Sequence, residues 1–88
     1  MKDVFYTSLP NSLGYIYLQK GMISNAKDQF LMALDKNPDE PSFNYHMAQA
    51  LIKDGKKKEA AAYLRTALKT PSFSEKEAAQ KLLKSIGG

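Results

Sequence analysis

The stretch LGYIYLQKGMISNAKDQFLMALDKNP, residues 13–38, decides the fold, because a degraded copy of it follows at once further down the chain. Gly21, Ala26, Phe30, Ala33 and Leu34 recur as Gly55, Ala60, Leu64, Ala67 and Leu68. Upstream, Leu13, Gly14, Tyr17 and Leu18 recur as Met47, Ala48, Leu51 and Ile52. Small residues answer small ones, large apolar residues answer large ones, and both glycines fall in register. The period, from Gly21 to Gly55, is in the range that marks a repeat architecture, whose units cannot bury their apolar faces alone and therefore stack. Such folds present surfaces rather than reaction centres.

The apolar spacing is helical along the whole chain. The run from Leu13 to Leu18, followed by Gly21, predicts a first helix from about Leu9 to Lys20. Pro10 is tolerable in its first turn, where the missing N–H has no helical partner. Gly21 suits a left-handed C-terminal cap. Ser24 reads as the N-cap of a second helix, with apolar residues at 26, 30, 33 and 34. That helix stops at Asn37-Pro38, since the residue before proline is pushed out of the helical region. Asp39 is expected to cap a third helix, with Pro41 in its first turn, carrying Phe43, Met47, Ala50 and Leu51 and ending at Asp54-Gly55. A fourth is expected from about Lys57 to Lys69, closed by Pro71. Ser74-Glu75-Lys76-Glu77 reads as a capping box opening a fifth helix with an apolar stripe of Ala78, Leu82, Leu83 and Ile86. Its other face, Glu75, Lys76, Gln80, Lys81 and Lys84, is polar, as a terminal cap requires. The expected count is five helices and no strand.

Within that frame the alanines at 26, 33, 60 and 67 let helix backbones approach closely, while Phe30 and Leu64 fill the space between helices. Eighty-eight residues allow one small domain with a modest core. No apolar run approaches the roughly 20 residues needed to span a bilayer. Met1 to Tyr6 lack the apolar segment of a signal peptide, so none is expected there. With no cysteine, disulfides, thiolate metal sites and cysteine nucleophiles are excluded. The formal charge is +4, and much of it sits in Lys53, Lys56, Lys57 and Lys58 around one turn. Nucleic-acid binding would want basic residues interleaved with exposed aromatics or a reading motif. These lysines flank a glycine turn, which reads as solvated.

These residues resemble the tetratricopeptide repeat family, whose pattern runs W-x2-L-G-x2-Y, then A-x3-F, A and P. Leu13-Gly14-x2-Tyr17, Ala26-x3-Phe30, Ala33 and Pro38 match all of it but the tryptophan, where Pro10 stands. The second copy is looser: Met47-Ala48-x2-Leu51, Ala60-x3-Leu64 and Ala67, with Pro71 one residue early. The resemblance implies an all-α helical-hairpin solenoid of two helix pairs and a C-terminal capping helix. Residues 1–6 would form a tail, 7–40 the first repeat, 41–73 the second and 74–88 the cap. Val4-Phe5-Tyr6 read either as the remains of a preceding repeat or as a strand-like tail seeking an apolar surface. Tyr45-His46-Met47-Ala48, Asp54-Gly55-Lys56 and Phe73-Ser74-Glu75 also look like the C-terminal end of large bacterial proteins of this family. Those include lipoproteins linked to exopolysaccharide production or envelope protein sorting. That likeness implies a fragment or small relative in the bacterial cytoplasm or envelope.

In this family the first helix of each pair lines a concave groove. The groove positions fall on Asn11, Tyr15, Leu18 and Gln19 in the first repeat, and on Tyr45, Gln49, Ile52 and Lys53 in the second. Together they imply a mixed aromatic and amide surface for a peptide. The same spacing also lets Tyr15 and Tyr45 pack on each other across the stack. One subclass clamps a C-terminal carboxylate with lysine and asparagine. Those positions fall on Asn11, Tyr15 and His46, with Lys76 at most matching a later lysine, so no clamp is expected.

His46 is the sole histidine, with no cysteine or second histidine to build a metal site. It reads as a surface or groove residue, with Asp39 and Glu40 as possible acid partners. Ser42 lies four residues before it, but no oriented nucleophile–base pair follows from that alone. Met22 and Met47 read as filler or core, and Met32 as exposed. The expected function is protein–protein interaction without catalysis, cofactor or metal. The partner would be a protein or peptide, not nucleic acid, with no direct membrane insertion. Self-association, as a homodimer through Val4-Phe5-Tyr6 and the open face of the first repeat, is the rival reading.

Overall fold

The structure, a computed structural model, describes residues 10–87, with side chains from Leu13 onward. Among the described residues there are five α-helices and no strand: α1 (Pro10–Gln19), α2 (Ile23–Lys36), α3 (Pro41–Lys53), α4 (Lys57–Ala67) and α5 (Lys76–Ser85). Each packs on the next in chain order, and α1 also touches α3. This is the expected all-α helical repeat. Val4-Phe5-Tyr6, Leu9 and the Asn11 side chain lie outside the described residues.

The two glycines between helices set the period. Gly21 and Gly55 adopt φ of +79° and +81°, a region open to glycine at little cost. A Cβ at either would meet nothing within 4 Å, so the need for glycine there is conformational rather than steric. The Met22 N–H donates to the Tyr17 carbonyl at 2.9 Å and the Gly21 N–H to Leu18 at 3.1 Å. In the second copy, Lys56 donates to Leu51 at 2.8 Å and Gly55 to Ile52 at 3.0 Å. Both pairs are Schellman closures, which satisfy the orphan carbonyls of α1 and α3.

The same closures displace the expected cap at Ser24. The Met22 carbonyl already accepts from Ala26 at 2.9 Å, so α2 begins at Ile23 with Met22 as N-cap and no side-chain cap bond. Lys56 and Ala60 repeat that arrangement before α4. Asp39 does not cap α3 either. Glu40 is the N-cap, held extended by the proline after it (ψ 118°), and Pro41 has no N–H to satisfy. The turn is secured by Asn44, buried at 2% exposure. Its Nδ2 donates to the carbonyls of Pro38 and Glu40, both at 3.0 Å.

The core runs through the stack as one cluster from Leu18 to Ala79. Ala26, Ala33, Ala60 and Ala67 are all buried, and Phe30 and Leu64 are the largest fully buried side chains. α1 lies so close to α2 that a Cβ on Gly14 would sit 2.5 Å from the Phe30 ring. Outside the core, Lys27 of α2 pairs with Asp54 after α3 at 2.7 Å. This exposed ion pair holds the Asp54 carboxyl below its ordinary value through the Lys27 hydrogen bond, and such pairs contribute little to stability. The lysines at 56, 57 and 58 are exposed.

α5 covers the second helix pair, but with a different rotation and start from those expected. α4 ends at Ala67 rather than Lys69. The capping box at Ser74 does not form: the helix begins at Lys76, with Glu75 as N-cap and no side-chain cap bond. The Glu75 carboxylate reaches α3, accepting from Ser42 Oγ at 2.8 Å, and Ser74 Oγ donates to the same oxygen at 3.4 Å. The contact with α3 leaves Glu75 half-buried rather than outward-facing. Ala79, not Ala78, is the fully buried residue of α5, with Leu82, Leu83 and Ile86 half-buried beside it.

Candidate functional site

Tyr45, Gln49, Ile52 and Lys53 fall at i, i+4, i+7 and i+8 of α3, which is one helix face. Opposite them α5 contributes Ala78, Lys81, Leu82 and Ser85, at i, i+3, i+4 and i+7. The eight side chains line one solvent-open groove of about 530 Å³, within the size range of ligand-binding clefts. α5 leans on α4 rather than closing onto α3, and this leaves the space. The lining is largely apolar, and its two charged members, Lys53 and Lys81, are both exposed lysines.

The floor carries a small polar network. Gln49 Nε2 donates to Tyr45 Oη at 3.3 Å, while Gln49 Oε1 is buried and accepts no hydrogen bond from the described residues. Burial, with help from the Glu75 carboxylate and then Tyr15, pushes the Tyr45 hydroxyl above its ordinary value. Tyr45 therefore stays a neutral donor at physiological pH.

Next to the groove, His46 joins the two repeats. Its ring stacks on Phe30 (5.7 Å, 20°) and lies 5.4 Å from Tyr15 and 5.5 Å from Tyr45. It is half-buried between aromatic rings rather than on the surface. Both tyrosines pack on its ring. Among the described residues the carboxylate acting on it is Glu75, at the start of α5, rather than Asp39 or Glu40. Burial lowers the His46 pKa below the ordinary 6.5, against the opposing pull of Glu75. The unfolded chain then binds more protons than the folded one below about pH 6.5, so stability is lost as pH falls through that value. The expected result is a melting temperature that drops from pH 7.5 to 5.5 in the wild type and less steeply in His46→Gln. Equal slopes would remove His46 as the cause.

Four of the eight sequence-derived groove residues thus come together on α3. From the first repeat, Tyr15 is exposed and borders His46, and Gln19 is exposed near the end of α1. Leu18 is a correction: at 3% exposure it is part of the core and has almost no surface for a partner. The α5 half of the groove is one that the sequence does not single out. Lys81, read as part of the outward face, stands at the groove instead, because burying Ala79 turns α5 by one position. Ser42 donates its hydroxyl to the Glu75 carboxylate at 2.8 Å. Among the described residues no three His, Asp or Glu gather as a metal site, and no helix is long and apolar enough to cross a membrane.

Residues 41–71, which form α3, its glycine turn and α4, match the tetratricopeptide repeat family model. No curated protein and no solved structure gives a significant match. The looser likeness to bacterial exopolysaccharide or envelope proteins finds no support in these comparisons. Tetratricopeptide repeats are in general non-catalytic modules for protein–protein interaction. Taken with two glycine-closed helix pairs stacked in register, the match supports the tetratricopeptide repeat family for this chain.

Proposed function

We propose that this chain is a non-catalytic scaffold whose concave groove between α3 and α5 binds a peptide or a segment of a partner protein. The observation that carries the reading is the convergence of Tyr45, Gln49, Ile52 and Lys53 with the α5 face on one open, mainly apolar groove. On this reading the repeats divide as residues 7–40 and 41–73, with 74–88 as the cap, and the partner is protein rather than nucleic acid. Tyr45 is the anchor, since a tyrosine offers a large apolar body and one polar tip. In a selection of random peptides displayed on phage, bound sequences are expected to lose about tenfold or more in affinity on Tyr45→Ala. Helicity by circular dichroism should be retained. Peptides that bind the variant as well as the wild type would place the site elsewhere.

A second reading has its own support from the repeat. Ile16 is 36% exposed, whereas Ala50, its counterpart in the second repeat, is fully buried. Leu13 and Tyr17 are likewise half-buried where Met47 and Leu51 are buried. We propose that a second copy of the chain covers this face of α1, giving a homodimer. Sedimentation equilibrium is the test: a concentration-dependent dimer that Ile16→Glu dissociates is expected, and a monomer throughout would discard the reading.

A further inference from the structure

We infer that the groove between α3 and α5 selects acidic peptides, in which an apolar side chain is followed within a few residues by Asp or Glu. This rests on the groove reading above and adds the charge and spacing of the ligand. Tyr45, Ile52 and Leu82 supply an apolar floor, Lys53 and Lys81 are its charged groups, and no acidic side chain belongs to the lining. Neither lysine has an ion-pair partner among the described residues, where Lys27–Asp54 is the one such pair. A basic ligand would face two uncompensated ammonium groups, and like-charge juxtaposition is costly. An acidic ligand would pair with both.

The helix sets the spacing. Tyr45 and Lys53 are eight residues apart, which is about 12 Å along α3 at 1.5 Å per residue. An extended chain covers about 12 Å in roughly four residues. A ligand whose apolar side chain rests at Tyr45 therefore brings a carboxylate to Lys53 three or four positions further along. Lys81 stands beside Leu82 on the opposite wall and can take a second acid.

The experiment is a phage-displayed selection of random twelve-residue peptides against the full chain, followed by fluorescence anisotropy of the enriched sequences. The expected outcome is enrichment of Asp or Glu three to four positions from a large apolar residue. The double variant Lys53→Gln/Lys81→Gln should weaken these peptides about tenfold and flatten their salt dependence. Lys57→Gln/Lys58→Gln, at the start of α4, should leave them unchanged. Both pairs are exposed, and melting curves check that each variant folds. Enriched peptides without acidic bias that still lose binding on Tyr45→Ala would overturn the charge inference and leave the groove reading standing. Peptides indifferent to Tyr45→Ala, or no enrichment at all, would overturn both. An equal loss from the two lysine pairs would reduce the effect to net charge and overturn the selection by Lys53 and Lys81. A single-stranded oligonucleotide that displaces the peptides at physiological salt would replace the proposed ligand class.

Discussion

Phe30→Ala is expected to lower the unfolding free energy by about 3–5 kcal/mol, the range for deleting a buried aromatic ring. Phe30 is fully buried and meets both neighbours of α2. On one side its ring edge lies within 2.5–3.1 Å of where a Cβ on Gly14 would stand. On the other it stacks on His46 of α3 at 5.7 Å. Removing it leaves a cavity between the two repeats, and the glycine on α1 has no side chain to fill it. A domain of this length holds a total of about 4–13 kcal/mol, so the loss is a large fraction. The melting temperature should fall by about 12 °C or more, at roughly 4 °C or more per kcal/mol for a domain of this size. Urea denaturation followed by circular dichroism measures it. A loss below about 1 kcal/mol at unchanged m-value would mean that the ring is not seated between the helices.

The second large effect is a change of sign. Gly14→Ala inside α1 gains about 1 kcal/mol of helix propensity. It also drives a methyl into the Phe30 ring, with two ring carbons at 2.5 and 2.7 Å. Overpacking typically costs about 1–3 kcal/mol. A fully buried ring cannot swing away cheaply, so the upper part of that range applies, and a net loss of about 1–2 kcal/mol is expected. The second repeat shows how the pair is relieved: Ala48 stands where Gly14 does, and Leu64 where Phe30 does. In a Phe30→Leu background, Gly14→Ala should therefore stabilise, by up to about 1 kcal/mol. The double-mutant cycle should return a coupling within the roughly 0.5–3 kcal/mol seen for residues in contact. Additive effects within error would contradict the close approach of α1 to α2.

Much of this was legible before any tertiary information. The glycines at 21 and 55 could be placed as left-handed caps because few other residues tolerate that conformation. The alanine and Phe30/Leu64 positions could be placed in the core because helical period alone puts them on one face. Tyr45, Gln49, Ile52 and Lys53 could be grouped because their spacing lies within a single helix. Each of these follows from local geometry, which the helical period makes readable.

What failed to be legible depended on a second element. Ser24, Asp39 and Ser74-Glu77 all carry good capping chemistry, yet none of them caps. The backbone closure at Gly21 started α2 early, Asn44 stitched the Pro38–Glu40 turn, and Ser42 of α3 holds Glu75, which takes the N-cap position in place of Ser74. Leu18 looked like a groove residue and is core, because its surface is covered by neighbours distant in sequence. The α5 wall, with Lys81 at the groove, follows from the rotation that buries Ala79. The amino-acid order by itself thus determined the helices, their glycine turns and the repeat, since these rest on short-range conformational preferences. The far wall of the groove, the environment of His46 and the partner of Glu75 were decided by tertiary structure. Their energies come from contacts between segments far apart in the chain, such as α3 with the start of α5, where no local rule ranks one pairing above another.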